Sequence, residues 1–291
     1  MEINRYIDHT LLRQGATIAD LTKLCEEAKE HNFAAVCVAP AYVADAKQML
    51  DGTDVKVCTV IGFPFGYSSA DTKISEIEIA ITDGADEIDI VHNVSHIKNG
   101  DWDELDDEMG ELIDWVAFVC ETNEENPIVK VILETGILTD AEIVKCCELY
   151  SKYKIDFIKT STGFAAEPLK GDEFEAHKIK TIEIIRQNIP ATMQIKASGG
   201  IRDYIFAKKL IDAGATRLGC SAGITIVEQS KIVGKYKSTY DKIMDEMTKA
   251  GKVTIVELKD ESTGPSATFN LDVDSHIFPT EDDQVLGPNN Y

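Results

Sequence analysis

The chain has no apolar run near the roughly 18–20 residues needed to cross a bilayer, no C-x-x-C, and no Cys/His group at metal-ligand spacing. Its first residues, Met1 to His9, carry charges and no apolar h-region, which argues against a secretory leader. Positive charge is scarce: 29 Lys and Arg against 51 Asp and Glu leave a net −22 at pH 7. A surface that acidic repels nucleic-acid phosphates and anionic membranes, so neither is an expected partner. A phosphorylated substrate would need a local cradle of oriented N–H groups or a few cations to overcome the field. The cysteines, Cys25, Cys37, Cys58, Cys120, Cys146, Cys147 and Cys220, are odd in number, and four lie in apolar runs. That pattern reads as a reduced, intracellular protein with buried thiols rather than a disulfide scaffold, and the cytoplasm is the expected compartment.

What the chain does have is alternation. Short β-rich runs, such as Phe33–Val38, Val55–Ile61, Glu87–Val91, Ile128–Leu133, Asp156–Lys159 and Met193–Lys196, are separated by patterns of helical period. With Tyr6–His9 at the start and Thr216–Gly219 at the end, the count of strand candidates reaches eight. Near-continuous apolar strands joined by helices imply a parallel sheet covered on both faces. Eight such units in about 225 residues fit a closed (β/α)₈ TIM barrel. An open doubly wound sheet is the competitor, but no G-x-G-x-x-G follows the first strong strand. The barrel is expected over residues 1–226. Residues 227–291 are expected as a C-terminal extension: helical over Glu228–Ala250, a short β-like run Val253–Val256, then a polar segment with little to bury.

Polar residues gather where the expected strands end: Asp8, Asp89, Glu134, Lys159-Thr160-Ser161, Lys196 with Ser198, and Cys220-Ser221. Barrel enzymes build their active sites on that face. A neutral lysine amine attacks carbonyls to form a Schiff base, and burial or a cationic neighbour favours the neutral form. Lys159 and Lys196 end consecutive strands, which places them as neighbours. Alternation puts Glu87 and Asp89 on one face of their strand, where an acid needs a partner that the lysines can provide. A structural ion pair and a proton-shuttling role for Asp89 are compatible readings. The glycine turns Ser198-Gly199-Gly200 and Gly219-Cys220-Ser221 follow the last two strands, where barrels often bind phosphate. The strand cysteine Cys37 is more often a packed thiol than a nucleophile. The acidic run Asp101–Asp107 reads as a solvated helix face.

These motifs resemble the deoxyribose-phosphate aldolase family from about Asp8 to Ser221. The stretches that carry the resemblance are Asp8–Leu12, Val36–Val38, Val60–Pro64, Gly84–Asp89, Phe157–Phe164, Lys196–Arg202 and Arg217–Ser221, in the family's order. The resemblance implies a cofactor-free, metal-free class I aldolase that reversibly cleaves 2-deoxy-D-ribose 5-phosphate to glyceraldehyde 3-phosphate and acetaldehyde, in nucleoside breakdown. It implies Lys159 as Schiff-base former, Lys196 as the lysine that tunes it, and Asp89 as proton donor and acceptor. It further implies Asp8, Thr10, Cys37 and Thr160 at the substrate site, with Gly163, Gly199, Gly200 and Ser221 on the phosphate. Homo-oligomers, dimers above all, are the implied assembly. Two departures stand out: Ala222 replaces a second serine the family commonly has after the one matched by Ser221, and the tail from Val227 is long, ending in Tyr291. A class I aldolase acting on another phosphosugar is the nearest alternative. A phosphosugar-binding or regulatory module that lost turnover is a more distant one, and the acidic tail could add a protein-interaction role.

Overall fold

The computed structural model describes residues 2–123, 126–165, 169–249, 253–258 and 266–271. Eight parallel strands close into a barrel in sequence order. They are β1 (Ile7–Leu11), β2 (Ala35–Val38), β3 (Lys56–Ile61), β4 (Glu87–Val91), β5 (Ile128–Ile132), β6 (Phe157–Lys159), β7 (Gln194–Ser198) and β8 (Arg217–Cys220). The helices between them are α1 (Ile18–His31), α2 (Val43–Met49), α3 (Ala70–Thr82), α4 (Val94–Asn99), α5 (Trp102–Asn123), α6 (Asp140–Tyr150), α7 (Gly171–Asn188) and α8 (Tyr204–Asp212), and α9 (Gly223–Lys249) follows β8. No described helix is long and apolar enough to cross a membrane. The helix starts follow local chemistry: Thr17 with Asp20 and Thr139 with Glu142 form capping boxes, each satisfying backbone donors the first turn leaves open.

The chain divides into two compact units, residues 1–230 and 231–291. Ile226 and Val227 are buried in the main core, so the first turns of α9 pack as the barrel's last helix. In the second unit, β9 (Val253–Leu258) pairs antiparallel with β10 (Ser266–Leu271). The strand at Ser266–Leu271 falls inside the segment expected from composition to lack structure. A hairpin partner satisfies its backbone groups, which composition does not count. Tyr291 lies outside the described residues.

Strand alternation sorts the side chains into two populations. One set of alternating positions, such as Val36, Ile88, Ile90, Val131, Ile158, Ile195 and Leu218, joins the main core shared with the helices. The other set faces the lumen. There Ala35, Cys37, Cys58 and Val60 of β2 and β3 form a separate small apolar cluster, and the other strands supply charges. Loops then fix the mouth. Gly66 has φ +73°, and a Cβ there would sit 2.0 Å from the His92 carbonyl oxygen. The loop after β3, which carries Phe63, is therefore seated directly on the end of β4. His92 holds that end from below: Nε2 donates to the Leu133 carbonyl at 2.8 Å, and the ring's other nitrogen pairs with the Tyr150 hydroxyl at 2.8 Å. Burial pushes the His92 imidazole down to about 3, so it stays neutral.

The Gly66 approach gives a direct test. Gly66→Ala adds both a left-handed backbone penalty and a clash with main chain, so it is expected to cost about 2–4 kcal/mol in urea unfolding. A stability within about 0.5 kcal/mol of the parent would show that the loop is not seated as described.

Candidate active site

The charged part of the lumen is one connected set. On β4, Glu87 and Asp89 both point inward and are fully buried. Asp89 is the hub. Its Oδ2 accepts from Lys159 Nζ at 2.9 Å and from Lys196 Nζ at 2.8 Å, while Oδ1 accepts from Lys130 Nζ at 2.8 Å. Lys159 and Lys196 are register partners on β6 and β7, which sets their two amines side by side over one carboxylate oxygen. Lys196 also pairs with Asp8 at 2.5 Å, and Lys130 with Glu87 at 2.6 Å. Arg217, from β8, bridges Asp8 at 2.5 Å and Glu87 at 3.0 Å. Thus Lys130, Lys196 and Arg217 each touch two carboxylates, whereas Lys159 touches Asp89 alone among the described lumen residues.

The electrostatics follow from those contacts. Burial works against ionised Asp89, but the ammonium groups of Lys130, Lys159 and Lys196 outweigh it and hold the carboxyl well below the usual range. Burial likewise works against ionised Asp8, and Arg217 and Lys196 outweigh it, bringing Asp8 to about 2. For Lys196, burial opposes the charged form, and Asp8 and Asp89 reverse it, raising the amine well above its ordinary value. The expected mutual repulsion of the two lysines therefore does not discharge Lys196. It remains the fixed cation beside Lys159.

The thiols lie beneath this set. Cys37 and Cys58 are register partners on β2 and β3. A hydrogen bond from Cys58 lowers the Cys37 thiol, against burial, while burial pushes Cys58 up. Cys58 Sγ donates to Asp89 Oδ1 at 3.2 Å and accepts from Lys130 at 3.4 Å. Among the described residues, Cys37, Cys58 and Asp89, and also Asp8, Cys58 and Glu87, bring ligand-type atoms within 4.8 Å of one another. Ammonium groups already occupy these acceptors, so a divalent cation would have to displace a lysine. The arrangement suits amine chemistry better than metal chemistry.

The strand-end expectation needs one correction. Asp8, Asp89 and Lys196 sit within their strands, inside the barrel, whereas Lys159, Ser198 and Cys220 close theirs. The pleat continues past each charge because lumen-facing charges find partners there and do not terminate the strand. Above this layer the mouth opens into a cavity of about 830 Å³, whose lining includes Thr10, Gly163, Gly199, Gly200 and Ser221. Asp8, Cys37 and Thr160 are buried behind it. Thr160 Oγ1 accepts from Ser198 N at 3.0 Å and donates to the Ser198 carbonyl at 3.2 Å, tying the β6 and β7 exits together. Glu134 accepts from Thr162 N at 3.3 Å and from the Thr162 hydroxyl, which shapes the turn into Gly163.

Several contributors were not singled out in the sequence. Lys130 and Arg217 complete the charge network, and a lysine midway along the apolar run Ile128–Leu133 was the available signal. The Phe63 ring lies 6.0 Å from Lys159 Nζ and meets Phe164 edge-on at 5.2 Å, giving the amine an aromatic wall. That contact joins loops roughly a hundred residues apart, and nothing local in either loop announces it.

The chain is similar to known aldolases in sequence and in fold. The model for DeoC/LacD family aldolases matches residues 3–229. A deoxyribose-phosphate aldolase of Caldanaerobacter subterraneus subsp. tengcongensis is 44% identical over 234 residues, covering 80% of this chain and 96% of that protein. A solved structure from Coccidioides immitis, described as a candidate deoxyribose-phosphate aldolase, superposes with a TM-score of 0.70 at 39% identity, covering 79% of this chain and 86% of the other. The tetrameric deoxyribose-phosphate aldolase of Aeropyrum pernix superposes at 0.68 with 28% identity, covering 79% and 91%.

The depressed carboxyls make a pH prediction. Unfolded, Asp8 and Asp89 take the ordinary value of about 3.9. Folded, they hold on to their charge further into acid, so the unfolded chain binds more protons as the pH drops. Their stabilisation is complete above about pH 5 and is lost as the pH falls toward about 2. The thermal midpoint, measured from about pH 6 to about pH 2, should fall most steeply below about pH 4, and Asp8→Asn should make that fall shallower. A midpoint that does not move over that range would contradict the network.

Proposed function

The chain belongs to the DeoC/LacD family of aldolases, and from that premise we propose that Lys159 is the amine through which it cleaves 2-deoxy-D-ribose 5-phosphate to glyceraldehyde 3-phosphate and acetaldehyde, reversibly. The observation that carries the assignment is the pair of register-matched lysines on one oxygen of Asp89, with Lys159 the partner bound to a single carboxylate. The described lumen set holds four basic side chains and three carboxylates. Removing one proton from Lys159 leaves three cations for three carboxylates, so a neutral nucleophile there orphans no anion.

The chemistry then runs in balanced steps. Lys159 Nζ adds to the C1 aldehyde of the open-chain sugar, and loss of water gives the protonated imine. Proton removal from the C3 hydroxyl lets the C2–C3 bond break, with its electron pair drawn into the imine as an enamine, and glyceraldehyde 3-phosphate leaves. Protonation at C2 and hydrolysis release acetaldehyde and return the amine. Asp89, directly bonded to the Lys159 amine, is placed to relay these protons, and Lys196 supplies a fixed positive charge beside the developing imine. Gly163, Gly199, Gly200 and Ser221, on the cavity wall, would hold the phosphate through backbone N–H groups and a hydroxyl. Ala222 leaves that cradle one hydroxyl lighter. Thr10 lines the same cavity. Asp8, Cys37 and Thr160 would support it from behind.

Residues 1–226 carry this activity in our reading, and 227–291 extend it. A chain whose Cys25, Cys37, Cys58, Cys146, Cys147 and Cys220 are buried thiols suits the cytoplasm. The tetrameric Aeropyrum relative supports a homo-oligomer, and a dimer is our expected state.

The test is kinetic. Lys159→Ala should fold normally and lose at least ~10⁴-fold in deoxyribose 5-phosphate cleavage. Asp89→Asn should lose roughly 10²–10⁴-fold. Near-normal turnover by Lys159→Ala would remove the assignment.

A further inference from the structure

Helix α7 carries an unusual residue in its buried stripe. Thr181, Ile182 and Ile185 face the core at helical spacing, and the position one turn earlier is Lys178, only 3% exposed. Its Nζ donates to Ser161 Oγ at 2.8 Å and to the Ser198 carbonyl at 3.4 Å. Those residues are themselves stitched together: Ser198 Oγ donates to the Ser161 carbonyl at 2.5 Å and accepts from Ser161 N at 3.3 Å. A Cβ built on Gly199 would lie 3.4 Å from Lys178 Nζ, and one on Gly200 would lie 2.7 Å from the ring of Phe174. Phe174 and Lys178, four residues apart on α7, thus back the two glycines of the β7 turn, and the ammonium sits 5.4 Å from the Phe174 ring.

The opposite side of that turn lines the mouth cavity together with Gly163. Resting on the reading above that this turn cradles the phosphate, the geometry points to Lys178 as the positioning residue of the phosphate end: it fixes the Ser161–Ser198–Gly199 turn from behind. The protein as a whole carries −22, which opposes an anionic substrate. A turn whose backbone N–H groups are held toward the cavity gives the anion a local site against that field, and Lys178 holds the turn without touching the sugar. Lys178 therefore sets the preference for a phosphorylated substrate over its neutral analogue, not the bond-breaking step.

The experiment compares the parent with Lys178→Met and Lys178→Arg, each checked for an intact thermal transition. Inorganic phosphate binding is measured by calorimetry, and kcat/KM is measured for 2-deoxyribose 5-phosphate and for 2-deoxyribose. In Lys178→Met, phosphate affinity should fall at least about tenfold. The ratio of the two kcat/KM values should fall by a similar factor, with Lys178→Arg recovering most of both. Unchanged phosphate affinity, or equal loss on both sugars, would overturn the assignment. If Lys178→Met does not fold, a crystal of the parent with phosphate decides: the anion belongs on the cavity side of the Gly199 turn with Lys178 Nζ directly across it, and an anion seated elsewhere overturns the proposal. A parent that binds phosphate yet turns over neither sugar would sink the aldolase reading and leave the phosphate measurements to judge Lys178.

Discussion

The site depends on one carboxylate. Asp89 is fully buried and accepts from three lysines, on β5, β6 and β7. Any one of those ammonium groups alone in a barrel interior would be costly, and the carboxylate alone equally so. Together they are mutually compensating, and Glu87, Asp8 and Arg217 extend the compensation around the wall. Every other cation in the described set is doubly bound, and Lys159 meets a single carboxylate. Lys159 is thereby set apart by the bonding of its neighbours more than by its own surroundings.

The barrel makes that bonding possible. Parallel strands in register bring Val60 of β3 opposite Asp89, Asp89 opposite Lys130, and Lys159 opposite Lys196. Strict alternation sends the intervening residues outward into the helix-facing core. The apolar sector at β2 and β3, with Phe63 from the loop above, keeps one side of the lumen free of competing carboxylates. Lys196, held charged, is then a permanent electrostatic neighbour for an imine on Lys159. The loops that exit β6 and β7 are tied through Thr160, Ser161 and Ser198, so hydrogen bonds join the end of the Lys159 strand to the glycine turn at the mouth.

Much of this was legible in the sequence because charges inside apolar runs are conspicuous. Asp89, Lys159 and Lys196 were found that way, and the eight βα units followed from the alternation of patterns. The same signal at Lys130 is weaker because the residue lies midway along an apolar run, away from the strand end where active-site groups are expected. Arg217 opens a short strand and looks like an ordinary boundary residue until Asp8 and Glu87 are seen across the lumen. Lys178 was hidden differently: helical lysines are normally solvated, and only its place in the stripe with Thr181, Ile182 and Ile185 marks it as buried. The Phe63–Phe164 contact depends on barrel closure, which no local pattern encodes. The hairpin of β9 and β10 was half visible, since Val253–Val256 reads as a strand while its polar partner does not.

The proposal at the centre is that, of the three lysines around Asp89, Lys159 is the nucleophile. Borohydride reduction of the parent protein in the presence of acetaldehyde, followed by peptide mass mapping, tests it most directly. The account predicts a stable ethyl adduct on Lys159, with Lys130 and Lys196 unmodified. An adduct confined to Lys196, or none on any lysine of a folded protein, would contradict it.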